Sequence, residues 1–280
     1  MSLPKVTSKN YYDPHIQMAY MGATQYKAFQ KCEAAALATL RGEWAEKKTV
    51  ALLVGGYVDA YFSGELEQFK EEHPEIFSSR YPYGLKSEYK MADLIIERMK
   101  QDRLYMLLMA GRKQVIRTGF IAGVPFKIKI DCLLNAAQCK QIVDLFPDTA
   151  PALGMCDGAI VDQKLMVNFD SIWSPEEHER LPFIEYWGYD TQGAIYQEIE
   201  GNMLPFIINA GTKEEVPNLG AFYISDTDLA AKLAEVEDNA PRFQAIKEGH
   251  IEPRRCENCN YCRSTKRLRS IIDYKEVDFL

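Results

Sequence analysis

Hydrophobic residues recur with helical spacing through the N-terminal third of the chain. Three segments follow this spacing and are rich in Ala, Leu, Lys and Glu, which favour helix. The second segment is expected to be helical from near Gly55 to a point before Pro74. The three segments are residues 22–48, 51–77 and 89–109.

From residue 113 the pattern changes to the two-residue alternation of strands. Residues 113–134 predict two strands joined at "AGVP", and three later segments predict single strands. Helical spacing returns twice, first in a segment that begins with "SPEE" and ends at Gly201. The later strands are residues 158–167, 203–213 and 218–225, and the two helices are residues 174–201 and 226–249.

This order of elements predicts an α/β fold, α+β-like in character, with a mixed central β-sheet flanked by helices. Residues 133–156 are too long for a tight turn and are expected to form an inserted excursion. We expect one domain over residues 1–280. Its parts would be N-terminal helices at about 20–110, a core at about 110–225 and a Cys-rich tail at about 250–280.

Composition and charge narrow the class of protein only slightly. No apolar stretch reaches the ~20 residues that span a bilayer, and the N-terminus lacks the pattern of a secretory signal. A cytoplasmic protein without a membrane partner is therefore expected. The net charge of −7 argues against a protein coated in basic surface, but a local basic groove could still bind nucleic acid.

Two opposite charges interrupt an apolar predicted strand. In "GAIVDQKLMVNF" the two-residue period places Asp162 and Lys164 on the same face, where burying them costs several kcal/mol per ion before pairing. Asp131 ends the preceding strand, and carboxylates from neighbouring strands can converge on one magnesium ion. A lysine beside that ion can orient water or stabilise the transition state. The alternative is a structural Asp–Lys pair at a strand end.

The stretches "GVPFKIKID", "IVDQK" and "YDTQGAIY" together resemble the PD-(D/E)XK nuclease superfamily. They are most similar to the RecB-like branch, which includes phage-type exonucleases and exonuclease VIII. The resemblance implies a restriction-endonuclease-like core with Asp131, Asp162 and Lys164 as the metal-binding and catalytic residues. It also implies magnesium or manganese on the two aspartates and the backbone carbonyl of Gln163.

The same resemblance implies two further sets of site residues. Gln192 and Tyr196, four residues apart on one helix face, match a Q-x-x-x-Y motif that lines the active site and holds the DNA strand. Gly55 and Asp59 have the spacing of an early helical motif, which makes Asp59 a candidate metal ligand, direct or through water. Asp59 on a solvent-facing side of its helix is the alternative.

The activity that the resemblance implies is a phage or prophage exonuclease for recombination or repair. Such enzymes degrade linear double-stranded DNA from an end and leave single strands for a single-strand annealing protein. Some relatives form rings, so the resemblance leaves open whether this chain forms a homo-oligomer. The alternatives are a non-cleaving DNA-binding or assembly protein on the same fold, and an endonuclease.

The cysteines indicate a second metal site. The chain has seven, an odd number with no secretory signal, and Cys256, Cys259 and Cys262 form a C-x-x-C-x-x-C motif. A tetrahedral zinc or a cubane needs a fourth ligand, for which Cys32 is the best candidate. The layout resembles RecB-like nucleases, including AddB and certain CRISPR-associated exonucleases, that bind a [4Fe–4S] cluster. Zinc, with His250 able to replace a cysteine, and unliganded thiols remain alternatives.

The remaining cysteines and the tail complete the predicted sites. Cys132, Cys139 and Cys156 are expected in the core or the excursion. The segment around the motif is basic, and Arg263 and Lys266 are candidate DNA-binding residues. A solvated tail is the alternative. The basic residues between Glu252 and Ser270 are Arg254, Arg255, Arg263, Lys266, Arg267 and Arg269.

Overall fold

A central mixed sheet with helices on both faces organises the chain, which confirms the predicted fold class. The computed structural model describes residues 3–45, 49–81, 83–268, 271, 273 and 275. Arg269 of the predicted basic segment lies outside these residues.

The N-terminal part is helical, as predicted, but each predicted helix is interrupted. Cys32 adopts an extended conformation, with φ −164° and ψ 106°, and divides the first segment. Gly64 ends a helix in the left-handed conformation, and Asp102 leaves the helix to cap the next one through Tyr105 N–H. The elements are α1 Pro14–Ala19, α2 Ala23–Lys31, α3 Glu33–Leu40, α4 Val50–Ser63, α5 Leu66–Glu72, β1 Phe77–Ser78, β2 Gly84–Leu85, α6 Ser87–Gln101 and α7 Arg103–Leu108.

The second predicted helix also begins earlier than expected. α4 starts at Val50 rather than near Gly55, because the Thr49 side chain accepts a hydrogen bond from Leu52 N–H and caps the helix. The earlier start adds a turn before Asp59, which therefore lies in the second half of α4.

The predicted hairpin forms the first two strands of the main sheet, and the excursion after it is helical. Asn135 and Gln138 form a capping box that starts a helix at the end of the second strand. This helix packs back on the sheet rather than forming a loose insertion. The elements are β3 Arg112–Ile121, β4 Val124–Asn135, α8 Ala136–Leu145, α9 Ala150–Leu153 and β5 Gly158–Met166.

The prediction of one helix over residues 174–201 was wrong in its first part. Residues 172–181 form a small antiparallel hairpin, and the helix begins only after Pro182. Proline disfavours helical conformation in the residue before it, so Leu181 stays extended. The elements are β6 Ile172–Ser174, β7 Glu179–Leu181, α10 Phe183–Tyr186, α11 Tyr189–Glu200, β8 Phe206–Thr212, β9 Leu219–Tyr223, α12 Asp226–Lys247 and α13 Asn260–Ser264.

The main sheet has the strand order β3-β4-β5-β8-β9, with β5 and β8 parallel and the other neighbours antiparallel. One hydrophobic core joins one face of the sheet to α2, α3, α11 and α12. A second core joins the sheet to α4, α6, α7 and α8. No helix in the described parts of the chain is long and apolar enough to cross a membrane.

Candidate active site and cysteine cluster

The predicted catalytic residues lie where two strands of the main sheet separate. The ladder between β4 and β5 ends at the pair Cys132 and Val161. Asp131 and Asp162 are the next residue on each strand, so they face one another across the opening. Gln163 N–H donates a 3.0 Å hydrogen bond to Asp131 Oδ2 and ties the two strands together there. The sheet therefore brings both predicted carboxylates to one point.

Asp162 is buried and contacted from two sides. It is 2% exposed, its Oδ2 forms an ion pair with Lys164 Nζ, and its Oδ1 accepts a 2.7 Å hydrogen bond from Gln192 Nε2. Lys164 Nζ also lies 5.3 Å from the centre of the Tyr189 ring. Asp162 and Lys164 share a face of β5, as predicted.

The ionisable groups at the opening shift one another's pKa values. Burial, then Asp162 and Asp59, raise the pKa of Asp131 to about 8. Burial also raises the pKa of Asp59, although Lys129 and Lys164 oppose this rise. Burial alone lowers the pKa of Lys164, but Asp162 and Asp131 outweigh it and raise that pKa. Asp131 and Asp162, which face one another here, supply the oxygen donors that a hard divalent cation prefers.

The other predicted metal ligands lie at the same opening. Asp59 approaches from α4, on the opposite side of the sheet from α11, which carries Gln192. The side chain of Gln163 points elsewhere, since its Nε2 donates to the Tyr105 hydroxyl at 3.2 Å. The resemblance assigns the ion to the backbone carbonyl of Gln163, which accepts a 3.4 Å hydrogen bond from Lys164 Nζ.

Gln192 and Tyr196 face the site, but their polar atoms are engaged within the protein. Both are 9% exposed. While Gln192 binds Asp162, the Tyr196 hydroxyl donates a 3.1 Å hydrogen bond to the carbonyl of Lys129. These contacts position the metal-site strands, and DNA contact by either residue stays a prediction.

Two lysines near the site were not predicted from the sequence. Lys129 precedes Asp131 by two residues on β4, a spacing that could have drawn attention to it. Lys27 comes from α2, and its Nζ donates a 3.1 Å hydrogen bond to the carbonyl of Trp187. No local motif marks Lys27, because only the tertiary fold brings α2 to the site.

The stem of Lys27 packs against a glycine that starts α11. Gly188 has φ +61°, and a Cβ at this position would lie 2.9 Å from Lys27 Cδ. The Lys27 ammonium lies 5.4 Å from the centre of the Tyr189 ring, and Lys164 approaches the same ring. Burial and the nearby charge of Lys164 lower the pKa of Lys27 to about 8.

The four predicted cysteines converge although they are far apart in sequence. The sulfurs of Cys32, Cys256, Cys259 and Cys262 all lie within 4.8 Å of one another. Cys259 N–H donates to Cys256 Sγ at 3.3 Å, and Cys262 N–H donates to Cys259 Sγ at 3.4 Å. Four sulfurs this close together make the cluster a candidate soft-metal site.

A carboxylate beside the cluster fixes the tail to the helices. Glu33 accepts hydrogen bonds of 2.7 and 2.8 Å from the Arg242 guanidinium and one of 2.7 Å from Arg254 N–H. Arg255 is also engaged, since its guanidinium donates to Glu257 and to the Cys262 carbonyl.

The other residues singled out near the tail lie outside the cluster. His250 lies 3.4 Å from Glu248 and is not part of the cluster. Arg263 and Lys266 are exposed.

The remaining cysteines occupy the expected places. Cys132 and Cys139 are buried and Cys156 is half-buried. All three belong to or pack against the core on the α8 face of the sheet.

Comparisons with known proteins agree with this geometry. The crystal structure of a protein described as "Putative exonuclease" from Eubacterium rectale is 38% identical, with a TM-score of 0.84, and the match covers 98% of each chain. A comparison with curated proteins found no match. The family model for a "PDDEXK-like domain of unknown function (DUF3799)" matches residues 22–146 and 153–265. Both similarities support a nuclease, and the chain belongs to the PDDEXK-like family that this model describes.

Proposed function

We propose that the protein is a magnesium- or manganese-dependent deoxyribonuclease that degrades linear double-stranded DNA from its ends. The observation that carries the proposal is the meeting of Asp131, Asp162 and Lys164 where β4 and β5 separate. Membership of the PDDEXK-like family and the description of the similar crystal structure support the nuclease assignment.

The residues at the opening suit distinct tasks in phosphodiester hydrolysis. The ion would be held by Asp131, Asp162 and the Gln163 carbonyl. Asp59 would be a further ligand, either directly or through a water molecule. When bound, a divalent ion activates water and neutralises charge on the phosphate. Lys164 orients the attacking water and stabilises negative charge that develops on the phosphate.

The proposal is tested by digestion of matched DNA substrates. Linear duplex should be degraded only with Mg²⁺ or Mn²⁺, and closed-circular duplex should stay intact because it has no end. Asp131→Asn should lower the rate on linear DNA more than a hundredfold while the protein stays folded. Cleavage of closed circles would indicate an endonuclease, and metal-dependent binding without cleavage would indicate a non-cleaving DNA-binding protein.

An exonuclease assignment also indicates the process in which the protein acts. The single strands that such an enzyme leaves suit a phage or prophage recombination or repair pathway with a single-strand annealing protein.

We also propose that residues 1–280 act as one domain, because the N-terminal helices pack on both faces of the sheet and the tail is tied to α3.

We propose that the cysteine cluster binds a structural metal; the 4.8 Å limit on its sulfur separations is closer to the geometry of one zinc ion than to that of a cubane. With Zn–S bonds of about 2.3 Å, tetrahedral sulfurs are about 3.8 Å apart, and Cys32 Sγ lies 3.6 Å from Cys262 Sγ. A cubane places four irons between its thiolates and therefore holds them farther apart. Metal analysis of anaerobically purified protein decides between them: one zinc per chain supports this proposal, and about four irons support the [4Fe–4S] cluster of the resembled nucleases.

A further inference from the structure

Two lysines outside the carboxylate group lie on either side of the candidate active site. From their placement we propose that Lys27 and Lys129 bind the DNA phosphates that flank the scissile phosphate. This inference rests on the proposed function, since it assumes that DNA enters the opening between β4 and β5.

Lys129 lies on the side of the site that includes α4 and the N-terminal segment. Its Nζ is 5.5 Å from the centre of the Tyr12 ring and 5.9 Å from that of Tyr11. The Tyr12 ring is 70% exposed, so this side is open to solvent. Lys129 precedes Asp131 by two residues on β4, so it lies on the strand that carries this carboxylate.

Lys27 lies on the other side, at the start of α11. Its contacts are with Trp187 and Tyr189, and its charge acts on Lys164 and Asp162 at the site. Burial and the charge of Lys164 disfavour the Lys27 ammonium, and Asp162 only partly offsets them. A DNA phosphate would add a further anion.

Both lysines are connected to the site through α11. Lys27 approaches Tyr189, whereas the backbone of Lys129 is bound by Tyr196, about two helical turns or about 10 Å along the axis. Gln192, which binds Asp162, lies between them. The scissile phosphate would lie in the middle, at Asp162.

Neither lysine is already neutralised by an acidic side chain. Within the described residues, neither ammonium forms an ion pair with a carboxylate. The Lys27 ammonium donates to a single carbonyl, and Lys129 contacts aromatic rings. Both therefore keep donors and charge available for phosphate.

The test counts phosphate contacts through the salt dependence of DNA binding. Anisotropy of a fluorescent linear duplex would be measured with Ca²⁺ in place of Mg²⁺, over a range of salt concentrations. Each of Lys27→Gln and Lys129→Gln should lower the slope of log K against log salt by about 0.7–0.9, the value for one phosphate, and the double variant by about twice that. Lys90→Gln, an exposed lysine on α6, is the matched control.

The outcomes separate this inference from the proposed function. Lys27→Arg and Lys129→Arg should keep the wild-type slope, and digestion by the Gln variants should show a raised KM with kcat changed less than threefold. Slopes of the Gln variants equal to that of Lys90→Gln would overturn the inference while leaving the nuclease intact. Wild-type protein that neither binds nor cleaves linear DNA would instead overturn the proposed function.

Discussion

Among the described residues, Lys164 is the one cation in direct contact with the buried Asp162, and it points toward the opening rather than into a core. Its ammonium is shared between Asp162, the Gln163 carbonyl at 3.4 Å and the face of the Tyr189 ring. None of these contacts requires the lysine for folding of the sheet, whose strands are joined by backbone hydrogen bonds. Its place beside Asp162 at the opening is the one that its proposed catalytic role would require.

Replacement of Lys164 by Ala should mainly affect the chemical step. We expect kcat to fall more than a hundredfold and duplex affinity in Ca²⁺ to change less than threefold, because the ammonium acts on charge that develops in the transition state. Single-turnover digestion and anisotropy measure the two effects. A large loss of affinity with normal turnover at saturation would make Lys164 a phosphate anchor instead.

A second lysine has a folded-state pKa that predicts how stability changes with pH. Burial, and then the charge of Lys127, lower the pKa of Lys247 to about 7. Between pH 7 and about 10 the unfolded chain therefore holds a proton that the folded chain releases. The free energy of unfolding should rise with pH in this interval, by at most about 1.4 kcal/mol per pH unit from this group.

Lys247→Met should remove that contribution and flatten the rise. Lys247 Nζ donates to the Tyr20 carbonyl and to Gln25 Oε1, so the variant also loses two hydrogen bonds and its absolute stability is not the test. Urea denaturation at pH 7, 8 and 9 measures the slope. Lys31→Met, which removes an exposed lysine on α2, should keep the wild-type slope.

At the scale of elements, hydrophobic periodicity predicted the sheet and most helices but not where helices break. A single extended residue such as Cys32 leaves the apolar spacing on either side intact, so the pattern continues through the break. The hairpin before α10 was missed because its charged residues fit a helical surface as well as a strand. Charge is conspicuous in an apolar strand, so the sequence indicated Asp131, Asp162 and Lys164 as candidate site residues. The sequence did not indicate Lys27, because its position near the site depends on packing between distant elements.

The start of α11 offers a prediction with a close control. Gly188→Ala and Gly201→Ala both place a Cβ on a left-handed backbone, and each should cost about 1–2 kcal/mol of stability. Only at Gly188 does the added Cβ meet Lys27; nothing lies within 4 Å at Gly201. Gly188→Ala should therefore also weaken duplex binding.

Melting curves and anisotropy in Ca²⁺ measure the two effects separately. Equal affinities for the two variants would show that the position of Lys27 does not matter for binding.

At the scale of the whole molecule, the cysteine cluster joins the tail to the N-terminal helices. Cys259→Ser should remove a metal ligand, lower the melting temperature and loosen the tail, because a cross-link between distant residues restricts the unfolded chain. Cleavage should persist below the melting temperature, since the active site shares no ligand with the cluster. Cys156→Ser, a half-buried cysteine outside the cluster, is the control.

Melting temperature, metal content and the rate on linear duplex are the measurements. Loss of the metal with an unchanged melting temperature would contradict a stabilising role. Loss of cleavage in a fully folded variant would contradict the separation of the two sites.

Cys32 lies next to both proposed sites. The helix that carries Lys27 ends at Lys31, and the next residue, Cys32, belongs to the cysteine cluster. A metal ion that draws the four sulfurs together would also restrain the position of this helix. Metal binding at the cluster should therefore change the affinity for DNA, and DNA binding should change the affinity for the metal by the same factor. Bound duplex should thus slow the extraction of the cluster metal by a chelator, and removal of the metal should weaken the duplex complex.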